Sequence, residues 1–506
     1  MTGQAVLPHS EIAWRRLPPK MIVVAPATLL LKFLPAFVVV LLVGGSESPV
    51  RIWITVAIAA AAVSAGLVRW RTTRYRITPD RVELHSGLLQ RKRLSVPRDR
   101  IRTVDLTSTF LHQVFGLSVV KVGTGQASAG RDDRGLNLDA VTAPEAERLR
   151  RELLAARTAA AEETEAPVVA PPARELDRLD WSSLRYAPLT VSSLAAIGAL
   201  AAALYNLLRE ANVDPTTLPG VSAAAGELES APLWVPVLVG AAVLLVVLVA
   251  GSLLLFTERW WAFRLTREPD GTLRVRRGLL TQRSLSVSER RLRGVAVAEP
   301  LLVRVIGRGA QASALSVGLP SSPGEQGGSG GALQPPVPRE HAHDVAAAAM
   351  RLDDRVTDVG LQAHPRTART RRLTRAVAPS LVPVAAAWWL GGLWDVAWLG
   401  PVSLVLPVLA VPLGLDRYRA LGHRLDDRFL VSRQGSLLRA TTALQRDGVI
   451  GWRVRQSWFQ RRAGVVTLDA TTAAGQGAYT VLDVDPATAA ELVAAVTPDA
   501  VAPFRT

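Results

Sequence analysis

The stretch Arg74–Gly125, RYRITPDRVELHSGLLQRKRLSVPRDRIRTVDLTSTFLHQVFGLSVVKVGTG, decides how the 506-residue chain is read. Within it Tyr75, Ile77, Val82 and Leu84 alternate around Thr78-Pro79-Asp80, the pattern of a β-hairpin. Gly87-Leu88-Leu89 follows, and Gly116 lies 29 positions after Gly87. The same frame recurs at Gly278 and Gly307, and again at Gly435 and Gly464. Apolar residues sit at matching places between the glycines: Ile101, Leu292 and Val449, then Leu106, Val297 and Val454. In the second copy the hairpin turns on Glu268-Pro269-Asp270-Gly271, whose proline and glycine supply the backbone angles of a tight turn. Each copy then runs through a further strand (Leu117–Val122, Leu315–Leu319, Val465–Leu468) and a small-residue loop to a short helix. The helices are read over Pro144–Leu154, Arg339–Met350 and, plainest, after Asp485 as N-cap with Pro486 in the first helical position. Three copies of one unit describe an array rather than one large enzyme.

An apolar pair precedes each copy. The six stretches fall near 22–43, 52–68, 187–208, 233–256, 376–394 and 396–415, each close to the ~20 residues that cross a bilayer core. Every pair opens on an Ala-Pro step: Ala25-Pro26, Ala187-Pro188 and Ala378-Pro379. The last pair also carries Pro383, Pro401, Pro407 and Pro412, with Asp395 in the turn between them. Prolines are better tolerated in spans than in soluble helices. Lys32 lies inside the first stretch and is read as snorkelling towards the headgroups. Basic residues flank the modules (Arg15, Arg16, Lys20; Arg69, Arg71, Arg74, Arg76; Arg259, Arg264; Arg417, Arg419), whereas the opposite loops hold only Arg51 and Arg209. The positive-inside rule then expects a multi-pass protein of the bacterial plasma membrane with both termini and all three modules cytoplasmic.

The fold class expected is therefore a membrane α+β protein: three helical hairpins alternating with three antiparallel β modules, each closed by a helix. The divisions read as an N-terminus at 1–21, hairpins at 22–70, 185–258 and 376–416, and modules at 71–155, 259–350 and 417–506. Linkers take 156–184 and the basic stretch 351–375, where Arg366, Arg369, Arg371, Arg372 and Arg375 approach the fifth span. Composition agrees: mean hydropathy is +0.21, 49% of residues are hydrophobic and net charge is +16. The spans assign that charge to an anionic membrane surface, with no nucleic acid as partner. The absence of cysteine excludes disulfides and thiolate-bound zinc or iron–sulfur sites.

The quoted stretch resembles the bacterial pleckstrin-homology-like (PH-like) domain of YdbS/YdbT-type membrane proteins, through RYRIT, GLL, VPRDRI, QVFGL and the closing helix. The resemblance implies two packed antiparallel sheets plus a helix, and little chemistry. The second copy departs from the pattern in EPLLVRVIGRG, from Glu299 to Gly309, and carries a Gly/Ser-rich loop from Ser321 to Gly331. The third replaces VPRDRI with a looser run from Thr441 to Ile450.

Catalytic chemistry finds no constellation. His341-Ala342-His343-Asp344 lacks a second metal-binding cluster and reads as a solvated helix start. Gly123-Thr124-Gly125 lacks the third glycine of a dinucleotide loop. The expectation is a non-enzymatic protein with no cofactor and no metal. The remaining signal is basic. Candidate anionic-surface contacts are Arg91, Lys92, Arg93, Arg98, Arg100 and Arg102, with counterparts at Arg274, Arg276, Arg277, Arg290, Arg291 and Arg293, and at Arg453, Arg455, Arg461 and Arg462. Basic residues beside an anionic leaflet gain about 1 kcal/mol each. The first module is expected to matter most. Membrane lipids are the expected partners, with a protein partner or self-association beside them. An interaction scaffold or anionic-surface binder is the first functional reading, and a transport or export component for a lipid or amphipathic compound the alternative.

Overall fold

The computed structural model describes residues 14–24, 26–28, part of 57–72, 73–78, 80–87, 91–98, 101, 103–123, 136–155, 173–190, scattered positions from 195 to 209, 231–232, 234–317 and 331–498. The expected spans 22–43, 52–68 and 187–208 fall only in part among these residues, and Lys32 and most of the first linker lie outside them.

The threefold frame is visible in the element order. The first copy has β1 (Arg15–Arg16), β2 (Arg74–Ile77), β3 (Arg81–Ser86), β4 (Lys92–Pro97), β5 (Thr103–Ser108), α1 (Phe110–Val114), β6 (Leu117–Gly123), β7 (Leu136–Thr142) and α2 (Ala143–Ala155). The second has β8 (Arg174–Arg178), α3 (Trp234–Trp260), β9 (Arg264–Arg267), β10 (Thr272–Arg277), β11 (Gln282–Ser288), β12 (Leu292–Pro300), α4 (Leu301–Val305), β13 (Gly309–Ser316), β14 (Val337–Pro338) and α5 (Arg339–Ala349). The third has α6 (Arg366–Leu393), α7 (Leu399–Ser403), α8 (Val405–Arg419), β15 (Gly422–Leu425), β16 (Phe429–Gln434), β17 (Leu438–Gln445), β18 (Gly451–Arg455), α9 (Trp458–Arg462), β19 (Val466–Thr471), β20 (Ala478–Val484) and α10 (Pro486–Val496).

The turn glycines explain the frame. Gly87, Gly278 and Gly435 have φ of 101°, 110° and 96°, where a side chain is strained. A Cβ on Gly435 would also run into the Leu438 carbonyl oxygen. At the second glycine the copies diverge where the sequence departs. Gly116 and Gly464 have positive φ, but in the second copy that angle falls on Arg308. Gly307 and Gly309 are instead kept small by the Tyr186 ring, which would overlap a Cβ at either position.

Each copy also has a leading strand or bridge that its sequence does not announce. β1 pairs with β2, β8 pairs with β9, and Gln362 bridges His423 of β15. The ends of the expected N-terminus and both expected linkers are thus sheet edges. Leu17 and Met21, from the expected N-terminus, and Val24, from the expected start of the first span, are buried in the first module's core with Val82, Val104, Val120 and Leu149. Ala187-Pro188 also differs from its expected place at a span entry. It ends a 3-10 helix, Trp181–Leu189, in which Tyr186 and Ala187 are fully buried.

Two compact units emerge, and neither coincides with a module. The first comprises 1–173, 193–263 and 268–286; the second comprises 174–192, 264–267 and 287–506. In the first, one sheet runs β1-β2-β3-β4 and another runs β7-β6-β5-β11-β10. Its apolar helix α3 buries only Ser252, Phe256 and Trp260, leaving residues such as Val237, Leu244 and Val246 exposed. An apolar surface of that length suits lipid. In the second unit a six-stranded sheet runs β14-β13-β12-β17-β16-β15, and a three-stranded sheet runs β18-β19-β20. Among the described residues three helical stretches are long and apolar enough to cross a membrane: Trp234–Trp260, Arg366–Leu393 and Leu399–Arg419. Asp395 turns the last pair with φ of 55°. Asp416, near the end of α8, accepts from Arg304 at 2.7 Å and Arg439 at 2.9 Å, fastening that helix to α4 and β17.

Candidate functional site

The six candidates of the first module separate. Arg91 and Arg93 are exposed on or beside β4, and Lys92 begins that strand. Arg98 is half-buried and donates to the Glu152 carbonyl at 2.7 Å, tying the end of β4 to α2. Arg100 and Arg102 lie outside the described residues. In the second cluster Arg274 is clamped by Glu147 at 2.7 and 3.0 Å. Arg277 lies buried over the Trp260 ring at 4.3 Å, and burial, with Arg259 and Arg283 nearby, pulls its pKa down to about 9. Structural work therefore absorbs Arg98, Arg274 and Arg277.

The His341–His343 fragment also divides. His341 contacts Asp177 at 3.0 Å, whereas His343 is fully buried and bonds Thr357 at 2.6 Å. The solvated helix start expected for this pair holds for His341 and fails for His343, whose ring packs inward with Ala342, Val345 and Ala346. No metal-holding group of His, Cys, Asp or Glu exists among the described residues.

A basic cleft forms instead where α6 meets the third module. Its volume is about 1120 Å³. One wall is the first turns of α6, with Thr367, Thr370, Arg371, Thr374 and Arg375; the other is the β18–α9 corner, with Arg455, Ser457, Phe459 and Arg462. The sequence builds this locally. Pro365 precedes the first residue of α6, and the run from Arg366 to Arg375 continues as helix into the apolar segment. The expected basic linker is thus the first part of α6, a helix long and apolar enough to cross a membrane. Opposite, Ser457 caps α9 in a reciprocal box with Gln460, and Arg461 and Arg462 stand in the last turn of that helix.

Asp483 forms the floor. It is fully buried and accepts from Arg371, Arg372 and, at 2.9 Å, Gln460, whose amide also donates to Thr467 at 2.6 Å. Asp483 engages two of the guanidinium groups and locks α6 onto β20. Asp469 accepts from Arg453 and Arg455 at 3.1 and 2.9 Å. Arg375 and Arg462 make no ion pair among the described residues, and Arg462 rests 5.6 Å over Trp458. Both line a cleft that also offers threonine and serine hydroxyls. Guanidinium groups without a carboxylate partner, set among hydroxyls, suit an anionic oxygen cluster. Sequence reading picks out Arg371, Arg372, Arg375, Arg455 and Arg462 but does not join them. It misses Asp483 altogether, whose only signal is its place three residues before a closing helix.

Comparison with known proteins bears on this geometry. Residues 29–157 and 379–497 match the family model described as bacterial PH domain. Across 88 residues the chain is 31% identical to the UPF0699 transmembrane protein YdbT of Bacillus subtilis (strain 168). The matched stretch covers 17% of this chain and 17% of that relative. No solved structure matches. The second copy lies between the two matched regions.

Proposed function

We propose that this chain, a PH-like membrane protein of the YdbS/YdbT type, is a non-enzymatic binder of the anionic membrane surface that takes a phospholipid headgroup in the α6–α9 cleft. The observation that carries this reading is the pair Arg375 and Arg462, lining a cleft at the root of a membrane helix without a carboxylate partner among the described residues. Basic pockets beside membrane helices are suited to phosphate headgroups. The modules sit on the cytoplasmic side in this reading, because the basic residues cluster at the module ends of the helices. The third module, rather than the first, becomes the place to test.

The experiment is lipid retention by the full chain purified in mild detergent, read by native mass spectrometry. Phosphatidylglycerol should be retained in preference to phosphatidylcholine. Arg375→Glu with Arg462→Glu should lower that retention at least tenfold, while Arg91→Glu with Arg93→Glu leaves most of it. Equal retention of both lipids, or no effect of the cleft pair, would overturn the assignment.

A further inference from the structure

Sheet order shows how modules join. The fourth strand of the second copy, β12, pairs antiparallel with the third strand of the third copy, β17, from Gly294↔Leu444 to Pro300↔Leu438. In the first unit β5 lies beside β11, again a fourth strand against the next copy's third. Two such seams leave one third strand, β4 of the first copy, and one fourth strand, β18 of the last, without a seam partner among the described residues.

The end at β18 keeps the chemistry of a seam. Val454 stands at the place of Leu106 and Val297, counted from the turn glycine. Those two are 9% and 0% exposed, whereas Val454 is 59% exposed. In the β12·β17 seam Val297 faces Thr441. Gly451 matches Gly294, where a Cβ would strike the Ala443 carbonyl oxygen. At Gly451 the nearest atom to such a Cβ is the Thr471 hydroxyl, at 3.4 Å, because no seam strand approaches. Thr103 holds that position in β5, so glycine is compatible with a seam but not required by every one.

The seam also states what the incoming strand must be. At its two inward positions β11 has Ser284 and Ser286, and β17 has Thr441 and Ala443; all four are buried. In the β12·β17 pair these small side chains stand directly across from the buried Val297 and Val295, the cross-strand positions at which side chains pack against one another. β4 has Arg93 and Ser95 at those positions, both exposed, in a strand that opens on Lys92 and Arg93 directly after Arg91. Laid against β18, that run would add to Arg453 and Arg455, whose two charges share the single carboxylate of Asp469. Like charges across a strand pair destabilise it, and basic edges guard against pairing.

We propose that β18 is a strand-acceptor edge for a separate polypeptide: the third strand of another PH-like module with Ser, Thr or Ala at both inward positions. Main-chain hydrogen bonds supply the affinity and the small residues the selectivity. The basic β4 edge keeps copies of this chain from filling it.

The probe is a fluorescently labelled peptide of residues 436–446, the chain's own β17 segment, titrated against the full chain in detergent and read by anisotropy. Saturable binding is expected. Val454→Lys in the protein, or Thr441→Arg in the peptide, should weaken it at least tenfold, while Val454→Thr keeps it. Val454 is exposed, so folding is not the variable, and unchanged melting of Val454→Lys verifies that. No binding of the peptide, or binding indifferent to Val454→Lys, would overturn the proposal. A peptide of residues 90–98 should bind at least tenfold more weakly. Equal binding by that peptide, or sedimentation showing self-association lost in Val454→Lys, would assign the edge to a second copy and overturn the separate partner.

Discussion

Asp483 sits at φ of 55°, an angle that side chains rarely adopt. Ala140 takes 59° at the equivalent place, three residues before its closing helix, so the first and third copies share the backbone kink whatever the side chain. The third copy uses that kink to point a carboxylate at α6. Asp483→Asn should leave Arg371 and Arg372 buried without a counter-charge, a loss of about 3–5 kcal/mol on the scale of a broken buried pair. Thermal unfolding of the detergent-solubilised chain measures it, and an unchanged melting temperature would contradict the role. His364 and His423 lie close by, ring nitrogens 3.1 Å apart and buried. Burial lowers both to about 4, so the folded state holds them neutral. The unfolded chain binds protons near the ordinary 6.5, so between those values it holds more protons than the folded chain. Stability should therefore fall as pH drops from about 6.5 through about 4. Chemical unfolding at about pH 7.5 and about pH 5 tests this, with a smaller difference expected in His423→Asn.

Among the elements, the hairpins and closing helices are legible because their signals are local. Asp485 accepts from the Ala487 amide at 3.1 Å, as an N-cap should, and Pro486 occupies the first turn. Asp270 and Gly271 make the tight turn expected between β9 and β10, with the Thr272 amide 3.0 Å from the Asp270 carboxylate. The leading strands are not legible. Two residues at Arg15–Arg16 carry no alternation to read, and they are strands only because an edge was waiting for them. Nor does sequence say that Gly294 is a contact residue. Gly294→Ala should force β12 from β17 and cost about 1–3 kcal/mol. Gly451→Ala, with room beside it, should cost far less. Hydrogen exchange in β17 should rise in the first variant alone; equal behaviour of the two would remove the seam from the explanation.

Across the whole molecule, the units ignore the modules because the sheets do. Each unit completes one copy with strands from its neighbour in sequence, and β17 of the third copy pairs with β12 along Val295 and Val297. Deleting residues 420–506 should thus damage the second copy as well as the third. Limited proteolysis of the truncated chain should cut within β12 and β13, where the full chain resists; continued protection would mean the second copy stands alone. The threefold repeat, the apolar helices, the turn glycines and the closing helices can all be read from the order of residues, because each rests on spacing or on groups within a few positions of one another. Folding in three dimensions settled which third strand meets which fourth strand, which arginines are spent on Asp483, Glu147 and Asp469, and which are left facing the cleft. Those outcomes depend on pairings between distant parts of the chain, such as Arg372 with Asp483, and no local pattern encodes a partner that far away.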